Sequence, residues 1–133
     1  MNSSPFYIQK THKSFSEAIE AVKENAASAG FNLVAEHNIR NTFERNNLHW
    51  ERNYTILSIC NPVKSHHALS IDKRLGCFMP KNIIVFEDDD GIVNIMMMKS
   101  DPNKMNELFH SIGIGEMSAK VMSELISIIE KSI

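Results

Sequence analysis

The sequence predicts an α+β domain with a mixed, mainly antiparallel sheet and helices packed on it. Hydrophobic residues alternate with a strand period in some segments and with a helix period in others. The turn Asp89-Asp90-Gly91 separates two apolar strand segments and is too short for a crossover, so these two strands must be antiparallel. Two helical segments follow them. The predicted order of elements is therefore β-α-β-α-β-α-β-β-α-α.

Local signals place most of these elements. Ser14 and Glu17 have the spacing of a capping box, and Gly30 supplies the left-handed stop of the helix that Ser14 begins. Asn61-Pro62 predicts the start of another helix, because asparagine caps well and proline fits the first helical position. The predicted elements are a strand at 6–11, a helix from 14 to 30, a strand at 31–36, a weaker helix at 38–46, a strand at 54–60, a helix from 61 to about 72, strands at 83–87 and 92–98, a short helix near 105–109 and a final helix from 117.

The remaining segments are predicted as loops or breaks. Residues 48–53 lack a clear period, and residues 75–82 contain Gly76 and Pro80. Gly113-Ile114-Gly115 predicts a turn that ends one helix before the next begins. The apolar positions predict the following core residues: Phe15, Ile19, Val22, Leu57, Ile59, Val85, Ile95, Val121 and Leu125.

Size and composition restrict the class of protein. The 133 residues fit one domain, residues 1–133, and the 43% of hydrophobic residues is too high for a disordered chain. A formal net charge of −2 argues against a nucleic-acid partner, because such domains usually carry a basic excess. We expect no membrane segment, because no apolar run approaches the ~18 residues that a span needs. The first five residues do not resemble a secretory leader, and the two cysteines, Cys60 and Cys77, form a poor disulfide framework, so we expect a cytoplasmic location.

The segment Cys60-Asn61-Pro62 is the main candidate site. Cys60 ends a predicted strand just before a helix N-terminus, where the backbone N–H groups favour an anion such as a thiolate. His66 and His67 follow in the same helix. These residues predict either a ligand-binding or reactive thiol site at Cys60, Asn61, His66 and His67, or a buried structural cysteine with solvated histidines. They do not predict a metal site, and they name no cofactor.

Three other segments have simpler interpretations. Met96-Met97-Met98 alternates across a strand, which favours core packing over metal ligation. The acidic run 87–90 lacks the ligand spacing of a calcium loop and fits a charged hairpin tip. Residues 37–54 interleave basic and aromatic side chains, as in single-strand nucleic-acid sites, but glutamates dilute the charge.

One stretch resembles a known family. Cys60-Asn61-Pro62 precedes a helix, Pro80 follows, and then come the strand 83–87 and an Asp-Gly turn. In this order the sequence resembles the uncharacterised family catalogued as domain of unknown function 302. The resemblance runs from about residue 15 to residue 98 and leaves residues 104–132 as a C-terminal helical extension. It implies an α+β protein that forms a homodimer and has no agreed activity.

One position departs from the family pattern. Many members have cysteine directly after the loop proline, where this chain has Lys81; Cys77 lies on the other side of Pro80 and is not equivalent. Only Cys60 is carried over from the family. We therefore expect a non-enzymatic, homodimeric binding domain for a small molecule or a redox-related ligand. The alternative is a thiol-dependent redox protein or enzyme that uses Cys60.

Overall fold

The computed structural model describes residues 4–133, except for the side chain of Ile112. Residues 1–3, on which part of the expectation about a secretory leader depends, lie outside the described residues. The elements in chain order are β1 Phe6–Thr11, α1 Phe15–Ser28, β2 Asn32–Asn38, α2 Ile39–Arg45, β3 Tyr54–Cys60, α3 Pro62–Ile71, a 3-10 helix Lys73–Phe78, β4 Lys81–Glu87, β5 Val93–Met98, α4 Pro102–Phe109 and α5 Ile112–Ser132.

The five strands form one sheet in the order β1-β5-β4-β3-β2. Each neighbouring pair of described strands is antiparallel, including the terminal pair β1 and β5. The predicted α+β class and the predicted order of elements are confirmed. The sheet, predicted as mainly antiparallel, is antiparallel at every one of these pairings.

The core lies between one face of the sheet and the helices α1 and α5. Side chains two residues apart on β3, β4 and β5 point toward these helices and are removed from water. Phe15 and Val121, two of the predicted core residues, are only partly buried and pack against the edge of the core. The fully enclosed members include Leu57, Ile59, Ile83, Ile95, Ile128 and Ile129.

The opposite face of the sheet carries an apolar row that crosses four strands. Ile8 is paired with Met96, Met96 with Ile84, and Ile84 with Ile56. Residues directly opposite in a sheet share a face, so these four side chains stand side by side. Ile8 is 48% exposed, whereas the other three are half-buried. We call this row the outer row.

The hairpin between β4 and β5 is held by Asp88. Its carboxylate accepts hydrogen bonds from the backbone N–H groups of Asp90 and Ile92, and Lys10 donates to it at 3.0 Å. Gly91 takes φ +80°, a left-handed conformation that glycine adopts without strain. The acidic run therefore serves the turn that the Asp-Gly signal predicts.

The break between α4 and α5 lies earlier than predicted. His110 adopts a left-handed conformation, with φ +52°, and ends α4 there. Gly113 and Gly115, predicted as a turn, lie inside α5. The N–H of Gly115 donates to the side-chain oxygen of Asn106 at 2.8 Å, and a Cβ on Gly115 would collide with that amide. Gly115 is thus needed for the close approach of two helices, which its sequence neighbourhood does not reveal.

The segment before β4 also differs from the prediction. The strand begins at Lys81, two residues before the predicted start, and part of the predicted loop forms the 3-10 helix. Within residues 4–133, no helix is both long enough and apolar enough to cross a membrane.

Candidate functional site

A cavity of about 350 Å³ opens where the carboxyl end of β3 meets the helices α3, α4 and α5. This volume falls in the range of ~300–1,000 Å³ that is typical of small-molecule sites. The 3-10 helix and the start of β4 close a further side. The apolar lining is formed by Phe31, Ile59, Val63, Ala68, Leu75, Phe78, Met79, Pro80, Met105, Ile114, Met117, Val121 and Met122.

A second, smaller apolar cluster builds the helical wall of the cavity. Ala68, Leu75, Met105 and Ile114 are its buried members, and they come from four different elements. Four methionines line the cavity: Met79, Met105, Met117 and Met122. Unbranched thioether side chains change shape at low cost, so this wall can adapt to an apolar guest.

The rim of the cavity is set by the start of α3. The side-chain oxygen of Asn61 accepts a hydrogen bond from the N–H of Lys64 at 3.1 Å, which caps the helix. Pro62 occupies the first helical turn, as its fixed φ favours. The turn brings Ser65 back over the end of β3, where its hydroxyl oxygen lies 2.8 Å from the sulfur of Cys60.

The cavity lining includes three of the four residues that the sequence singles out. Cys60, Asn61 and His67 line it, with Cys60 half-buried and His67 exposed. His66 is exposed and is not part of the lining, because adjacent residues of a helix face different directions. A binding or reactive role for these residues stays a prediction. Cys77 is exposed and also lies outside the lining.

Sequence reasoning missed a lysine at this site. Lys81 lines the cavity and is paired in the sheet with Ile59, which is 1% exposed. Burial lowers the pKa of Lys81 below its ordinary value of 10.5. Ile83 and Val85 follow it at strand spacing and are fully buried. This period of two, extended back by one step, would have placed Lys81 on the same inward face.

Two further observations concern the potential metal ligands and the cysteines in the described part of the chain. No group of three or more His, Cys, Asp or Glu side chains there could hold a metal ion. Cys60 and Cys77 are both free thiols.

The basic and aromatic region between β2 and β3 is engaged within the fold. Arg40 contacts the carboxylate of Glu44 at 3.3 Å, and Arg52 donates to the backbone oxygen of Asp89 at 3.1 Å. The ring of Trp50 packs edge-on against the ring of Phe43. These contacts give both guanidinium groups and the indole a role in the structure itself.

The likeness to solved structures fits this architecture. The chain is similar to the crystal structure of an uncharacterized conserved protein, DUF302, from Bacillus stearothermophilus. The TM-score is 0.86 at 20% sequence identity, over 97% of this chain and 98% of the other, which shows a shared fold. None of the curated proteins matches this chain.

The family model for the domain of unknown function DUF302 matches residues 7–132. This range begins within β1 and continues through α4 and α5, beyond the region of about 15–98 over which the sequence resembles the family. The two C-terminal helices, which form a wall of the cavity and part of the core, are therefore included in the match. The chain belongs to the family described as domain of unknown function DUF302.

Proposed function

We propose that this chain is a cytoplasmic, homodimeric and non-enzymatic binding domain, and that the cavity at the start of α3 receives a small molecule. The observation that carries the proposal is the cavity itself, with a volume of about 350 Å³ and a mostly apolar lining. Cavities that combine an apolar wall with a few polar groups are typical ligand sites. The cytoplasmic location is supported by the two free thiols.

The polar groups at the rim favour binding over catalysis. The side-chain oxygen of Asn61 is already used in the helix cap, and the hydroxyl groups of Ser100 and Ser118 lie 2.6 Å from each other. A ligand would therefore gain most of its affinity from apolar contact, at ~25 cal/mol for each Å² that it removes from water. Decanol, a neutral molecule with a long apolar chain and one hydroxyl group, tests this property without any contribution from charge.

Titration calorimetry with decanol provides the experiment. Ala68 is buried in the cavity wall, so Ala68→Leu fills space and should weaken decanol binding by about tenfold. Ala27→Leu makes the same change on the exposed side of α1 and should leave binding unchanged. Thermal unfolding of both variants establishes that they are folded. Decanol that fails to bind the unmodified protein, or that binds Ala68→Leu as before, would overturn the proposal.

The outer row supports self-association. Ile8, Met96, Ile84 and Ile56 form a continuous apolar strip across the sheet face opposite the core. A second copy related by a twofold axis would set the same strip against itself, since such interfaces use one patch on both subunits. A second copy would present an equally apolar row, against which this one could leave water.

Light scattering at micromolar concentration tests the dimer. We expect twice the monomer mass of 15.1 kDa. Ile8→Glu places a charge in the outer row and should yield the monomer, whereas Ile71→Glu, at a site with 50% exposure on α3, should remain dimeric. Both side chains are already about half exposed, so neither change should unfold the monomer. A monomer mass for the unmodified protein would contradict this part of the proposal.

A thiol-dependent redox protein or enzyme is the second candidate. It is favoured by the position of Cys60 at the cavity rim, with the Ser65 hydroxyl 2.8 Å from its sulfur. That hydroxyl could donate a hydrogen bond to a thiolate and so stabilise its charge. The rate of alkylation of Cys60, described in the Discussion, separates this candidate from the binding domain.

A further inference from the structure

The charged side chains that line the cavity are all basic. Lys64, Lys81 and Lys120 contribute to the lining. Among the residues that the structure describes, neither aspartate nor glutamate is part of it. The chain as a whole has a formal net charge of −2, so the charge of the cavity lining is opposite in sign to the net charge of the molecule. A cavity lined by basic side chains attracts anionic ligands.

The three lysines are not equivalent. The ammonium group of Lys64 forms an ion pair with Glu124 of α5, and Lys120 is exposed on the same helix. Lys81 has no carboxylate within ion-pair distance in the described part of the chain. Its nitrogen lies 6.0 Å from the centre of the Phe78 ring. In the same described residues Lys120 also lacks a carboxylate at that distance, but it is exposed to water, whereas Lys81 is half-buried. Lys81 is therefore the lysine whose charge a bound anion would compensate most.

The position of Lys81 explains why an anionic ligand would stabilise its charged form. It starts β4 on the face that Ile83 and Val85 continue into the core, and its cross-strand neighbour on that face is Ile59. A charged amine in such surroundings loses hydration without gaining an anionic partner. The lowered pKa of Lys81 reflects that loss. An anion placed beside the amine would restore the favourable energy of the charged form.

We propose that the cavity binds an amphipathic carboxylate, whose head group pairs with Lys81 and whose apolar chain lies against the methionine-rich wall. This inference rests on the proposed function, because it needs the cavity to be a ligand site. It adds the class of ligand, a free monocarboxylic acid with an unbranched apolar chain, and the residue that recognises the carboxylate. The four methionines supply the adaptable surface for that chain.

The test compares decanoate with decanol, which have the same chain length and differ in the head group. Titration calorimetry should give about tenfold or tighter binding for decanoate, the gain expected from a charge-assisted hydrogen bond. Lys81→Met should remove this preference, because it takes away the charge that pairs with the carboxylate of decanoate. Lys120→Met removes a lysine from the same lining and should keep the preference. Each methylene added between octanoate and decanoate should raise affinity about fourfold.

The outcomes separate this inference from the proposed function. Equal binding of decanol and decanoate would overturn the inference and leave the binding proposal standing, whereas binding of neither would overturn both. A preference that survives in Lys81→Met would exclude Lys81 as the anchor. Lys81→Gln provides a second neutral variant in case the methionine variant does not fold. Lys81→Arg, which keeps the positive charge, should retain a preference for decanoate, and its loss in that variant would argue against a charge contact.

Discussion

Leu57 offers the clearest test of how the core is built. Its side chain is 0% exposed and lies on β3, opposite Ile83 of β4. Leu57→Ala removes three carbon atoms, which corresponds to about 2.4 kcal/mol at ~0.8 kcal/mol for each buried carbon. The hydrogen-bonded strands on both sides limit collapse into the space left behind, which adds the energy of a cavity. We expect the free energy of unfolding to fall by about 3–5 kcal/mol.

Urea unfolding followed by circular dichroism measures this change. The unmodified protein and each variant are compared at one protein concentration, because association would make the urea midpoint depend on concentration. Leu48→Ala is the matched control, since Leu48 is 57% exposed in the loop before β3, and it should change the free energy by no more than about 0.5 kcal/mol. A loss below about 1 kcal/mol for Leu57→Ala, or equal losses for both variants, would refute the assignment of the core.

Two further predictions concern charge and the cavity. The hydrogen bond from Lys10, together with those from the hairpin backbone, lowers the pKa of Asp88 from 3.8 to about 2. The ionised carboxylate therefore stabilises the fold above about pH 4, and this contribution is lost as the pH falls toward 2. Asp88→Asn should lower the thermal unfolding midpoint at neutral pH, and that midpoint should fall less steeply between about pH 4 and pH 2 than in the unmodified protein. An equally steep fall in the variant would contradict this. Decanol in the cavity should slow the alkylation of Cys60, measured in Cys77→Ser, and leave that of Cys77, measured in Cys60→Ser, unchanged. Equal protection of both thiols would argue against the cavity as the site, and a Cys60 that reacts faster near neutral pH than the exposed Cys77 would favour the thiol-dependent alternative.

The elements that could be predicted from the sequence are those that local chemistry specifies. Ser14 and Glu17 form the expected reciprocal capping box, Asn61 caps α3, and the Asp-Gly turn closes the last hairpin. In each case the signal and the structure lie within a few residues of each other. Such contacts depend little on how the rest of the chain folds.

The break between α4 and α5 could not be predicted, because it depends on contacts between helices. His110 takes the left-handed conformation that a glycine would ordinarily supply, whereas Gly115 is helical and packs against Asn106. The strand that pairs with β1 could not be predicted either, since no local pattern relates residues 6–11 to residues 93–98. Long-range pairing of this kind follows from the burial of whole faces.

The candidate site was predicted only in part, because the sequence did not show on which face of its helix or strand each residue lies. Cys60 and Asn61 were found because a strand end and a helix cap are readable in the sequence. The two adjacent histidines could not be told apart, and only His67 lines the cavity. Lys81 was missed because the strand was predicted to begin two residues later, which removed this lysine from the inward-facing series.

The pairing of β1 with β5 has a consequence for how the protein forms during synthesis. Among the described strands Phe6–Thr11 is translated before the others, and it acquires its neighbour in the sheet only after Val93–Met98 has been translated. The next strand along the chain, β2, does not pair with β1, because it joins the opposite edge of the sheet. Pairings between such distant segments are slow steps in folding. The nascent chain therefore carries β1 without its native partner until β5 has been made.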